Sequence, residues 1–162
     1  MNKKQVSKVI DNAIARNNGQ FIALEDIFSG EVPPEICELR KHIWPVSLSE
    51  EEDNLFSALL SDMYGKGGSL YRIDDSSLKE ILKAETGNLD ERISVASLKF
   101  NRMYLCNNSM KSSGYTKVFG TIARSEGYTV IEVSPSFKAV MHEMYQLFQK
   151  TGTWPDEYIL SE

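Results

Sequence analysis

The chain has 162 residues, 41% of them hydrophobic and 25% charged, with a net charge of −5, a length and composition that can bury a core without disulfide or metal staples. It has no apolar run approaching the about eighteen residues of a membrane helix, and Met1-Asn2-Lys3-Lys4-Gln5 leads into an amphipathic stretch and not the apolar core of a signal peptide. A membrane-spanning or exported protein is therefore not expected, and a soluble cytoplasmic one is.

Val6, Val9, Ile10, Ala13 and Ile14 recur at helical spacing up to Asn17-Asn18-Gly19, which predicts a helix over about residues 3–17. Phe21-Ile22-Ala23-Leu24 is too short for periodicity to separate strand from helix. Pro33-Pro34 followed by Glu35 to Leu39 predicts a helix entered through proline and closed at Trp44-Pro45. Residues 1–45 thus form an amino-terminal helical extension.

Ser47 and Glu50 have the spacing of a capping box, and Leu55, Phe56, Leu59, Leu60 and Met63 then form one apolar stripe that ends at Gly65. Gly65-Lys66-Gly67-Gly68 is a connector, because it lacks the length and the Ser or Thr of a phosphate-binding loop. A short strand is expected over residues 69–74. A second helix starts at Asp75 to Ser77, with Ser77 and Glu80 as its box, Leu78, Ile81 and Leu82 inward, and Asp74-Asp75 as its cap.

Asn88, with Glu91, caps a third helix expected to run to about Tyr104. At about one hundred degrees per residue, Leu89, Ile93, Ala96, Phe100, Met103 and Tyr104 share the core-facing sector. Ser94, Ser97, Leu98, Asn101 and Arg102 share the opposite one, with Lys99 at its edge. Residues 107–114 read as turn, and residues 115–123 and 128–133 as an antiparallel hairpin joined through Arg124-Ser125-Glu126-Gly127. Ser134-Pro135 opens the last helix, which carries Phe137, Val140, Met141, Met144, Leu147 and Phe148 as far as Gly152. A tail occupies residues 151–162.

Charge singles out one stretch of this order. Between Glu91 and Glu126 stand Arg92, Lys99, Arg102, Lys111, Lys117 and Arg124 without a single acid, so positive charge is concentrated on a chain whose remainder is strongly negative. Such a concentration suits a surface that meets phosphates. The six cations are expected to contact phosphate, with Ser94, Ser97 and Asn101 as candidates for base edges; Asn101 leads, because asparagine pairs bidentately with adenine.

No enzyme is indicated, since His42 and His142 lack a companion nucleophile or carboxylate at a suggestive spacing. No cofactor or metal is expected either. Cys37 and Cys106 read as free thiols, and nothing groups them with the two histidines as zinc ligands.

The expected fold class is α+β, with a winged helix-turn-helix domain over residues 46–150, the added amino-terminal helical segment and a carboxy-terminal helix. The stretches Leu55 to Met63, Ser77-Leu78-Lys79-Glu80-Ile81-Leu82, Ser97-Leu98-Lys99-Phe100 and Tyr128-Thr129-Val130-Ile131-Glu132-Val133-Ser134-Pro135-Ser136-Phe137 resemble the amino-terminal winged-helix domain of plasmid replication initiator proteins. The resemblance implies duplex DNA as partner, contact through the third helix and the wing, and homodimerisation. The chain has room for one such domain, so the expectation is a stand-alone regulator, a truncated initiator-like protein or a plasmid or phage accessory factor. The alternative is a non-enzymatic protein-interaction module, such as a secretion chaperone, an immunity protein or a phage inhibitor, whose basic face binds an acidic protein.

Overall fold

The computed structural model describes residues 2–23, 43–44, 47–108 and 113–152. Helix α1 (Lys3–Arg16) leads to β1 (Ile22–Ala23); β2 (Ile43–Trp44), α2 (Glu50–Lys66), β3 (Leu70–Asp74), α3 (Asp75–Leu82) and α4 (Leu89–Phe100) follow. Then come β4 (Tyr104–Asn108), β5 (Ser113–Lys117), β6 (Phe119–Ser125), β7 (Tyr128–Val133) and α5 (Pro135–Thr151). The α+β class expected from the sequence is the class observed. The helix expected after Pro33-Pro34, and the tail around Trp154, lie outside the described residues.

Two sheets share one core. The first has strand order β1-β3-β7-β6, with β1 parallel to β3 and the other neighbours antiparallel; the second has order β2-β4-β5 and is antiparallel throughout. The residues between 115 and 123 form two strands and not one. Val118 breaks the run: its N–H bonds the carbonyl of Met103, its carbonyl accepts from Ser134 N–H, and the chain leaves the second sheet for the first. Of the expected turn at 107–114, residues 107–108 and 113–114 are instead strand, in the ladder of β4 and β5 that sets Tyr104 opposite Lys117 and Asn108 opposite Ser113. Polar, turn-forming residues misled the sequence reading there, because strand pairing in a hairpin is set by ladder partners as much as by propensity.

Helix α2 supplies the centre of the core through Leu55, Phe56, Leu59, Leu60 and Met63, all buried. Phe56 meets Phe100 of α4 and Phe119 of β6 at ring separations of 5.9 and 6.0 Å, and Phe100 stacks on Phe119 at 5.2 Å. Three elements are thus pinned at one aromatic contact, where each fully buried side chain contributes about 1.5–3 kcal/mol. Phe137, Val140 and Met141 of α5 close the same core.

The caps of three helices differ from those expected from the sequence. The capping box of α2 is Ser49 with Glu52, two residues beyond the expected pair. Helix α3 is preceded by Asp74 at the cap position without a side-chain cap bond, and Ser77 lies within the helix. Asn88 precedes α4 but its side chain accepts from Glu85 N–H instead of capping. Helix α4 also stops at Phe100, so Tyr104 is exposed on β4 and not in the core.

Helix α1 packs on the first sheet, where Ile10 and Ala13 meet Leu70, Ala123 and Val130. Its end is held by Glu132, which is 3% exposed. That carboxylate accepts from Arg16 Nη2 at 2.9 Å and from Asn17 Nδ2 at 2.8 Å. Burial pushes the Glu132 carboxyl up, but the hydrogen bonds from Arg16 and Asn17 outweigh it and hold its pKa below the usual carboxylate value. A depressed carboxylate pKa contributes stability above the unfolded value and loses it as pH falls through the folded one. Glu132→Gln is expected to cost about 1–2 kcal/mol at neutral pH, with the gap to wild type closing in acid. Thermal melts from pH 7 down to pH 3 check this, and a gap that widened in acid would contradict it.

Gly68 is buried beneath the Tyr71 hydroxyl, which donates to Asp62 at 2.8 Å. A Cβ at Gly68 would run into the Tyr71 hydroxyl and reach Asp62 Oδ2 at 2.6 Å and Ile22 Cδ1 at 2.7 Å. Gly68→Ala therefore has to displace a packed hydrogen bond and the end of β1, at an expected cost of about 1–3 kcal/mol. Denaturant unfolding measures it; a neutral substitution would mean that this contact is not tight.

Candidate nucleic-acid interface

The five described cations of the acid-free tract, Arg92, Lys99, Arg102, Lys117 and Arg124, have different surroundings. Arg124, on β6, is the most engaged. Its Nη1 and Nη2 bond the two oxygens of Asp75 at 2.7 and 3.1 Å, and its Nε and Nη2 reach Asp90 Oδ1 at 2.9 and 2.7 Å. Hydrogen bonding to Asp75 outweighs burial and raises its pKa, with Asp90 adding to the effect. Asp75 and Asp90 stand in the first turns of α3 and α4, where an acid also complements the helix dipole. The expected cap role of Asp75 is thus replaced by an ion pair.

Lys99 is likewise committed. Its Nζ meets Glu52 Oε1 at 2.6 Å, and Glu52, 3% exposed, also accepts from Ser49 N–H in the capping box of α2. Burial acts to raise the Glu52 pKa, but the bonds from Lys99 and Ser49 prevail and lower it. Arg92 is half-buried and donates from Nη2 to the carbonyl of Leu82 at 2.9 Å, satisfying one of the open carbonyls at the end of α3.

Arg92, Lys99 and Arg124, expected to contact phosphate, each hold a partner within the chain: these three side chains join helices to each other and to the sheet. The acid-free tract concealed this because its neutralising carboxylates, Glu52, Asp75 and Asp90, all come from outside it. Arg102 and Lys117 are exposed and have no ion-pair partner among the described residues. They lie close along the chain and ladder: Arg102 precedes β4 by two residues, and Lys117 is the cross-strand partner of exposed Tyr104. Lys111 lies outside the described residues.

Helix α4 presents Ser94 and Asn101 to solvent, with Ser97 half-buried. Val95 and Leu98 are exposed at 42% and 53% on the same side. Leu98 was legible as an outward apolar residue from helical periodicity; Val95 was missed, although the same projection turns it away from Ile93 and Ala96. The outward face of α4 is therefore acidic at its start through Asp90 and Glu91, apolar in the middle, and cationic only at its end.

A groove of about 750 Å³ lies elsewhere, between the end of α1, the approach to β3 and the start of α5. Lys138 crosses its floor, donating to the Gly67 carbonyl at 2.6 Å and Ser69 Oγ at 2.7 Å. His142 at the rim is exposed and shares a 3.1 Å hydrogen bond with Gln146. No cluster of three or more His, Cys, Asp or Glu side chains suited to a metal ion occurs among the described residues, and no helix among them is long and apolar enough to cross a membrane. Cys37 and His42 lie outside the described residues. No family model, curated protein or solved structure matches the chain.

The split between committed and free cations has a measurable consequence. Arg124→Met is expected to lower stability by about 1–3 kcal/mol, because Asp75 loses its partner in a partly buried setting. Arg102→Ala and Lys117→Ala are expected to change it by less than about 0.5 kcal/mol, as exposed substitutions do. Chemical denaturation of the three variants decides it; equal effects would dissolve the distinction.

Proposed function

We propose that this protein is a winged-helix DNA-binding protein of the replication-initiator or transcription-regulator type, which contacts duplex DNA through the outward face of α4 and the β4–β5 hairpin. The observation that carries the reading is the strand order β3-β7-β6 built after α2, β3, α3 and α4. In a winged helix the first strand lies between the first two helices and pairs with the last strand of the wing, and the helix before the wing is the one offered to the groove. The β4–β5 hairpin, inserted between α4 and β6, adds a second ribbon beside that helix and carries Lys117.

Under this reading Asn101 and Ser94 meet base edges, and Val95 and Leu98 supply apolar contact of the kind that reads a thymine methyl. Arg102 and Lys117, joined by Lys111 from the chain between β4 and β5, contact phosphate. Phosphate contact gives a salt dependence proportional to the number of cations used. The small free set, on a molecule of charge −5, calls for modest affinity and a shallow slope.

Titration of labelled duplex DNA at several salt concentrations tests the proposal. Binding that weakens with salt is expected, with Arg102→Ala and Lys117→Ala each reducing the slope of log K against log salt by about 1. Absence of binding at low salt, or binding indifferent to both substitutions, would overturn it. The protein-interaction alternative draws on one specific observation, the exposed Val95 and Leu98, since apolar residues adjacent on a helix face also suit a protein partner.

A further inference from the structure

We infer that the outward face of α4 is self-complementary and pairs two copies of this chain through an antiparallel, two-fold contact of α4 with its counterpart. This goes beyond the DNA-binding reading and stands without it. Glu91, Val95, Leu98 and Arg102 are all exposed. At about 100° per residue they fall within roughly sixty degrees of one another, so they form a single stripe along the helix. Arg102 stands two residues beyond the end of α4, where Asn101 keeps right-handed helical angles and Arg102 N–H bonds the Lys99 carbonyl at 3.0 Å, so the closing turn still winds in the helical sense.

The order along the stripe is acid, apolar, apolar, base. A two-fold axis through the midpoint between Ala96 and Ser97 exchanges residue 91 with 102 and residue 95 with 98. Each Glu91 then faces Arg102 of the second copy, and Val95 of each copy packs on Leu98 of the other. An isologous contact requires this kind of self-complementarity, in which one patch serves both partners. The same operation sets Ser94 opposite Lys99 and Asn101 opposite Arg92, so no like charges are brought together. Glu91 and Arg102 have no ion-pair partner within the described part of a single copy, and Val95 and Leu98 together are the exposed apolar centre that such a contact would bury.

The occupant follows from this symmetry. A foreign partner would have to carry the reverse pattern, whereas a second copy carries it already. With only two apolar side chains per copy at its centre, the contact belongs to the small, transient class, with a dissociation constant on the order of 100 µM. It also covers the face assigned to DNA, so duplex and second copy would compete for α4.

Sedimentation equilibrium of the full chain over a concentration series up to about 1 mM tests the inference. Wild type is expected to show a monomer–dimer equilibrium. Glu91→Arg and Arg102→Glu each place like charges across the axis and are expected to weaken the dimer tenfold or more; the double variant E91R/R102E restores the pairing in reverse and should return it to near the wild-type constant. Leu98→Glu should remove the dimer while leaving the melting temperature within a few degrees, which confirms that the monomer is still folded. A wild-type chain that stays monomeric throughout, single swaps without effect, or a double swap that fails to rescue would each overturn the proposal. DNA titration of the wild-type chain reads the other question separately: a dimer rescued by the double swap, with a wild-type chain that binds no duplex, would retain this inference and remove the DNA-binding one.

Discussion

Arg124 is the joint on which the arrangement of helices and sheet depends. It stands on β6 and reaches two carboxylates, Asp75 in the first turn of α3 and Asp90 in the first turn of α4. One guanidinium thereby fixes the starts of both helices against the sheet. A planar fork with several donors can do this where a lysine could not, because it presents hydrogen bonds to two acceptors in fixed directions. Lys99 with Glu52 repeats the device at the other end of α4, tying it to the start of α2. Next to the second ion pair, Phe100 packs on Phe56 and Phe119. The position of α4 is thus set by apolar contact at its inner face and by paired charge at its ends.

That arrangement changes what the basic tract means. Six cations in an acid-free stretch suggest one positive surface, but attraction acts in space, and carboxylates distant in sequence take up Lys99 and Arg124. The remaining exposed charge lies around the end of α4 and the β4–β5 hairpin. Exposed, unpaired cations are open to phosphate, whereas paired ones are already satisfied and partly desolvated. The proposed DNA contact would therefore have its charge at one end of α4, with the middle of that helix left apolar.

Much of the fold was legible because it rests on local rules. The apolar stripe of α2, the strand from Leu70 to Asp74, the Gly127 turn between β6 and β7, and the Ser134-Pro135 start of α5 each follow from periodicity or turn chemistry. What was not legible depends on contacts between distant segments. The Ser49 and Glu52 box prevails over Ser47 and Glu50 because Glu52 is also bonded to Lys99, which no local pattern reveals. The β4–β5 hairpin escapes propensity because Asn107, Asn108, Ser113 and Gly114 are turn-formers placed in a ladder. The outward residues Ser94, Leu98, Asn101 and Arg102 were readable from helical spacing, and the commitment of Arg92, Lys99 and Arg124 was not.

In the proposed DNA contact, α4 and the adjoining hairpin meet the duplex, while Arg92, Lys99 and Arg124 hold the fold together. The most direct measurement is the map of backbone amide shifts, by solution NMR, as short duplex DNA is added to labelled protein. Perturbations concentrated at Ser94 to Arg102 and at Lys117, with the amides of α1 and the Lys138 groove unmoved, are the predicted result. Shifts centred on that groove instead, or spread evenly without saturating, would contradict the account.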